Sequence, residues 1–169
     1  MDRARLPADI VLAANRISSH IRETPLDYSP FFSEETGCEV WLKLENLQHT
    51  GSFKLRGAFN KLLSLTPEQL KTGCVAASSG NHGAAIAYAM KKLGVTGVSF
   101  VPEQTSSAKV DAIKRFGGDV RFFGTDGLDT EEHARQYADE NSMAYLSPYS
   151  DGQSSAGREP VASKFRDKF

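Results

Sequence analysis

The stretch Cys74-Val75-Ala76-Ala77-Ser78-Ser79-Gly80-Asn81-His82-Gly83 sets a short apolar run against a polar, glycine-bearing turn. A helical pattern starts at once beyond it, with Ile86, Ala89, Met90 and Leu93 on one stripe. Counted from Cys74, further apolar runs begin near Val98, Val120 and Met143, at intervals of 24, 22 and 23 residues. Between them lie two more helical stripes, Val110, Ile113 and Phe116, then Thr130, Ala134, Tyr137 and Ala138. Strand, helix, strand at this spacing predicts βαβ units, and therefore an α/β fold with a parallel sheet flanked by helices. Gly94, Gly97 and the pair Gly117-Gly118 fall at helix exits, where left-handed residues are expected. Neighbouring units share no residue signature, so the rhythm is not a solenoid repeat.

In an open parallel sheet, ligands bind at the carboxyl ends of strands, where helix N-termini present free N–H groups. The turn Ser78-Ser79-Gly80-Asn81-His82-Gly83 gathers two hydroxyls, an amide and an imidazole there, with small residues that let an anion approach the backbone. The plainer reading is a helix capped by Ser79 or Asn81, with glycines serving a tight turn. Upstream, Thr50-Gly51-Ser52-Phe53-Lys54-Leu55-Arg56 opens a second apolar stripe, Leu55, Phe59 and Leu62. Thr50 or Ser52 is expected as its N-cap, which puts Lys54 in or beside the first turn. The helix dipole there disfavours an ammonium by about 0.3–1 kcal/mol. The neutral amine it favours is the form that attacks an aldehyde. A lysine standing exposed at an indifferent site is the alternative.

Nearer the N-terminus, Ile10, Ala14, Ile17 and Ile21 predict a helix from Pro7 to about Arg22. From Glu39 to Glu45 the residues alternate as a strand, with Val40, Leu42 and Leu44 on its apolar face and Trp41, Lys43 and Glu45 toward solvent. Composition is that of a globular protein, 40% apolar and 24% charged, with a net charge of −1 over 169 residues. No lysine/arginine cluster suggests nucleic acid, and no apolar run reaches membrane-span length. With no secretory apolar core after Met1, a cytoplasmic location is expected. Cys38 and Cys74 have neither CxxC spacing nor a histidine partner and are expected as buried, reduced thiols.

Together, Gly51-Ser52-Phe53-Lys54-Leu55-Arg56-Gly57-Ala58 and Ser78-Ser79-Gly80-Asn81-His82-Gly83 resemble the signature pair of fold-type II pyridoxal-phosphate enzymes. The likeness is greatest to the serine/threonine dehydratase (ammonia-lyase) and serine racemase group. It runs from about residue 5 to 151 and includes Lys43-Leu44-Glu45-Asn46 and Ser147-Pro148-Tyr149. It implies a three-layer, tryptophan synthase beta-like fold and pyridoxal 5'-phosphate as cofactor. Lys54 would form the Schiff base and remove the substrate α-proton. Phe53 would pack against the pyridine ring, and Asn81 would bond the cofactor's phenolic oxygen. Ser78, Gly80, Asn81 and His82 would cradle the carboxylate of an amino-acid substrate. Ser79 lies where racemases of the group carry a second proton-transferring serine, so racemisation stays open beside dehydration. No metal ligand is implied within this chain.

The resemblance stops near Asp151. Members of the group continue through a second lobe that bears a glycine-rich phosphate loop, whereas residues 151–169 have no Ile or Leu and no period. The resemblance thus divides the chain into 1–52, the start of the large cofactor domain; 53–150, the small α/β domain; and 151–169, an atypical tail read as disordered. It suggests a C-terminally truncated form with the second lobe largely missing, weak cofactor binding and little turnover. Ile10, Ile17, Ile21 and Leu44 are expected to lose their packing partners. The competing reading is a nonenzymatic fragment or regulatory partner of a full-length subunit, with a homo-oligomer also open. Nucleotide binding and hydrolase chemistry are disfavoured, because no G-x-G-x-x-G, P-loop or G-x-S-x-G pattern occurs.

Overall fold

The computed structural model describes residues 6–147. Pro148, Tyr149 and the tail 151–169, with its reading as disordered, lie outside them. The chain begins with α1 (Leu6–Ile17), β1 (Leu26–Tyr28), α2 (Pro30–Thr36) and β2 (Trp41–Lys43), then α3 (Lys54–Leu62) and α4 (Pro67–Thr72). Next come β3 (Cys74–Ala77), α5 (Asn81–Leu93), β4 (Gly97–Val101), α6 (Ser107–Arg115), β5 (Asp119–Phe122), α7 (Gly127–Glu140) and β6 (Ala144–Tyr145). Each apolar run read from the sequence beyond residue 73 is a strand, and each stripe between them is a helix.

The four later strands form one parallel sheet in the order β5-β4-β3-β6. Cys74 faces Gly97 on one side of β3 and Ala144 on the other, while Val98 of β4 faces Asp119. The chain steps outward from β3 to β5, then returns to lay β6 against the opposite edge of β3. That reversal marks the position where α/β sheets open a binding crevice. β3 reads as an unbroken apolar run because it is covered on both faces. Cys74 and Ala76 join Leu55, Phe59, Leu62, Ile86 and Met90 on the α3/α5 side, while Val75 meets Val98, Phe100, Ala134 and Ala138 beneath α7. Each large side chain buried in this way contributes about 1.5–3 kcal/mol.

Several expectations need correction. The first helix ends at Ile17, where the Ser18 hydroxyl donates to the Asn15 carbonyl (2.9 Å) and competes with the helical ladder. Ile17 has not lost its partners: it is fully buried with Leu55 and Phe59, while Ile10, Ile21 and Leu44 are half-buried. The faces of β2 are the reverse of those expected. Leu42 is exposed, Trp41 packs edge-on to Tyr28 across the antiparallel β1–β2 pair, and Glu45 is sunk in the 3-10 turn that follows. Gly94 and Gly117 adopt the left-handed backbone (φ 67° and 91°), but Gly97 and Gly118 serve close packing instead. A Cβ on Gly97 would lie 2.4 Å from the Cys74 carbonyl oxygen, and one on Gly118 would lie 2.6 Å from Ile113. Cys74 is buried, with its thiol pushed up to about 11 by desolvation, whereas Cys38 is exposed; both are free.

Candidate active site

Lys54 is the first residue of α3, as its sequence position suggested, but the expected cap is not made. Phe53 occupies the cap position without a side-chain bond, and the Thr50 and Ser52 hydroxyls are buried with no hydrogen-bond partner. The backbone of residues 50–53 turns those hydroxyls into the protein rather than over the helix end. The Lys54 ammonium stands 5.5 Å from the centre of the Phe53 ring. The helix is held from its other side. Arg56 donates from Nε and a terminal nitrogen to Glu45 at 2.9 and 2.7 Å, and the Thr24 hydroxyl donates to the same carboxylate at 2.5 Å. Lys43 donates to the Thr24 carbonyl. Burial alone would raise the Glu45 pKa, but the bonds from Arg56 and Thr24 outweigh it and hold the carboxyl below its usual range.

The second element leaves the sheet at Ala77. Ser78 N–H donates to the Phe100 carbonyl (3.1 Å), continuing the ladder for one residue, and Gly80 N–H donates back to Ser78 Oγ (3.3 Å). α5 then starts at Asn81 with no side chain over its N-terminal N–H groups. Gly80 has open space where a Cβ would project, whereas a Cβ on Gly83 would lie 2.2 Å from the Ser78 carbonyl oxygen. The turn is therefore packed tightly on its inner side and bare on its outer side. His82 is buried, and its Nε2 lies 3.2 Å from the Leu146 carbonyl. A carbonyl can only accept, so neutral His82 carries its proton on Nε2.

These elements share one cavity of about 510 Å³, lined by Lys54 and by Ala77 through His82. The structure thus brings together Lys54, Ser78, Ser79, Gly80, Asn81 and His82; Phe53 flanks Lys54 outside the wall. Pro102, Gly127, Leu128, Thr130 and Glu131 complete the cavity and were missed in the sequence. The signal was available: Gly124-Thr125-Asp126-Gly127 is another polar, glycine-bearing turn between a strand and a helix. Here the helix end is filled, since the Asp126 carboxylate accepts from the Leu128 and Asp129 N–H groups at 2.8 and 3.0 Å. A primary amine and a bare helix N-terminus facing one space form a donor set suited to an aldehyde-bearing, oxyanion-rich group. Among the described residues no cluster of His, Cys, Asp or Glu could hold a metal ion, and no helix is long and apolar enough to cross a membrane.

Residues 17–165 match the family model of pyridoxal-phosphate dependent enzymes. The chain is 42% identical over 160 residues to a biosynthetic L-threonine dehydratase of Corynebacterium glutamicum, covering 93% of this chain and 37% of that protein. The processed form of threonine deaminase isoform 2 from Solanum lycopersicum superposes with a TM-score of 0.92 at 28% identity, over 100% of this chain and 50% of that one. Serine racemase from Dictyostelium discoideum superposes with a TM-score of 0.88 at 36% identity, over 96% and 53%. The chain spans about half the length, or less, of these relatives.

Proposed function

The chain belongs to the pyridoxal-phosphate-dependent enzymes, and from that premise we propose that it carries the amine-bearing half of an L-serine/L-threonine dehydratase. The observation behind this reading is that Lys54 and the uncapped start of α5 line one cavity. When bound, pyridoxal phosphate supplies an electron sink that acidifies the substrate's α-C–H bond. Lys54 would anchor the cofactor aldehyde and, with its amine free, would be the base that takes the substrate α-proton at Nζ. Ser78, Gly80, Asn81 and His82 hold the carboxylate against the positive end of α5. Asn81 would also hold the cofactor's ring oxygen, and Phe53, beside Lys54, would flank the ring. Loss of the α-proton and the β-hydroxyl, followed by hydrolysis, gives a 2-oxo acid and ammonia. Ser79 lines the same wall, and its hydroxyl is the observation that favours serine racemisation as the second reading.

On this reading the amine and carboxylate sites both lie within this chain. Borohydride trapping with pyridoxal phosphate, followed by peptide mapping, tests the anchor. The label is expected on Lys54 and is expected to vanish in Lys54→Ala. A label that settles on another lysine overturns the assignment.

A further inference from the structure

The cavity has two chemically unlike walls. On one side stand the bare N-terminus of α5 and the Ser78 and Asn81 side chains, a surface that offers N–H and O–H donors to an anion. On the other stands the first turn of α7, which covers the opposite face of the sheet. Glu131, just beyond that turn, is the only acid among the described residues lining the cavity. Its charge is not spent on the helix end, because Asp126 already fills that role. Arg135 pairs with it, but both hydrogen bonds, at 3.2 and 2.6 Å, fall on Oε1. Arg135 also lies over the Tyr145 ring, with its guanidinium 4.3 Å from the ring centre. Oε2 lies outside that pair, and the Tyr145 phenol is the other group set against this carboxylate.

A free amino acid reaches such a site as a zwitterion, with its two charges fixed on one carbon. We infer that Glu131 receives the ammonium group of the incoming amino acid while the start of α5 receives its carboxylate. This rests on the carboxylate seat proposed above and extends it from an anion site to a zwitterion site. Glu131 then selects substrates that bear an amine before any covalent exchange at Lys54. A hydroxy acid with the same carboxylate gains nothing from that wall. Lys54 attracts both carboxylates alike, whereas its cation opposes serine's ammonium alone, so a preference for serine is gained against it.

Titration of the apo chain, followed by amide shifts of residues 78–83, separates the two contributions. L-serine and 3-hydroxypropionate share a carboxylate and a hydroxyl, and only serine has the ammonium. Serine is expected to bind more tightly by roughly threefold to fivefold, the range of a half-exposed ion pair. Glu131→Gln should erase that preference. Arg135→Met, an exposed change that removes the competing cation, should enlarge it and provides a second test that does not depend on altering Glu131. Equal binding of the two ligands, indifferent to both substitutions, overturns the inference and leaves the carboxylate seat standing. Amides that fail to move with either ligand overturn the seat and this inference with it.

Discussion

Helices α5 and α7 start beside the same cavity on opposite faces of one sheet, yet they begin differently. Asp126 closes α7 with two hydrogen bonds, at 2.8 and 3.0 Å. The cap position of α5 is Gly80, which has no side chain to offer, and the nearby Ser78 hydroxyl is taken by the Gly80 N–H. α3 is equally bare, since Thr50 and Ser52 turn their hydroxyls away from it. A side-chain cap stabilises a helix by about 1 kcal/mol. Forgoing it at the two ends that face Lys54's cavity leaves N–H groups and positive field for a ligand. Those ends are then held by packing and ion pairing beneath the surface.

The largest effect should come from breaking what holds α3. Arg56 and Glu45 are both buried, so Arg56→Met leaves an unpaired carboxylate and should cost about 3–5 kcal/mol in urea unfolding. The pair also has a pH signature. Because the folded pKa of Glu45 lies below its ordinary value of 4.5, the pair's contribution is complete above that pH. It is lost as the pH falls through the folded value. The gap between wild type and Arg56→Met should therefore narrow in acid; a gap that is constant with pH would mean Arg56 acts by packing alone. Next comes Gly83→Ala, whose Cβ would collide with the Ser78 carbonyl at 2.2 Å. It should cost about 1–3 kcal/mol as overpacking and displace the amide shifts of residues 78–83.

How much of this was legible depended on whether one periodicity governed a segment. β3 through β6 alternate with helices under cover on both faces, so apolar runs and stripes marked them directly. Lys54 was legible because a cation conflicts with an ordinary helix start, and the Ser78–Gly83 turn because it gathers polar and glycine residues at the carboxyl end of a strand. The face of β2 was not. Its three residues are too short a sample for alternation, and Trp41 and Lys43 turn inward for a ring contact and a carbonyl that only the fold supplies. Ile17 escaped for a related reason: its partners Leu55 and Phe59 lie far along the chain. The α7 wall was missed because Asp126 reads as an ordinary cap, which it is, and Glu131 reads as an ordinary surface acid.

Smaller effects sharpen the contrast between the two helix starts. Asp126→Ala strips α7 of its cap and should cost about 1 kcal/mol, with no change in how residues 78–83 answer a carboxylate. Gly80→Asp does the opposite. The Gly80 backbone is extended (φ −110°, ψ −152°), and a Cβ there meets nothing within 4 Å, so an aspartate enters without strain. Its carboxylate would reach the N–H groups that α5 leaves open and complement the helix dipole, a gain of about 0.5 kcal/mol over glycine. That gain should appear as a slightly higher thermal midpoint. The same carboxylate occupies the seat and repels an anion, so the shifts induced by serine should disappear. A variant that grew more stable and still bound serine would show that the open end of α5 is not where the carboxylate sits.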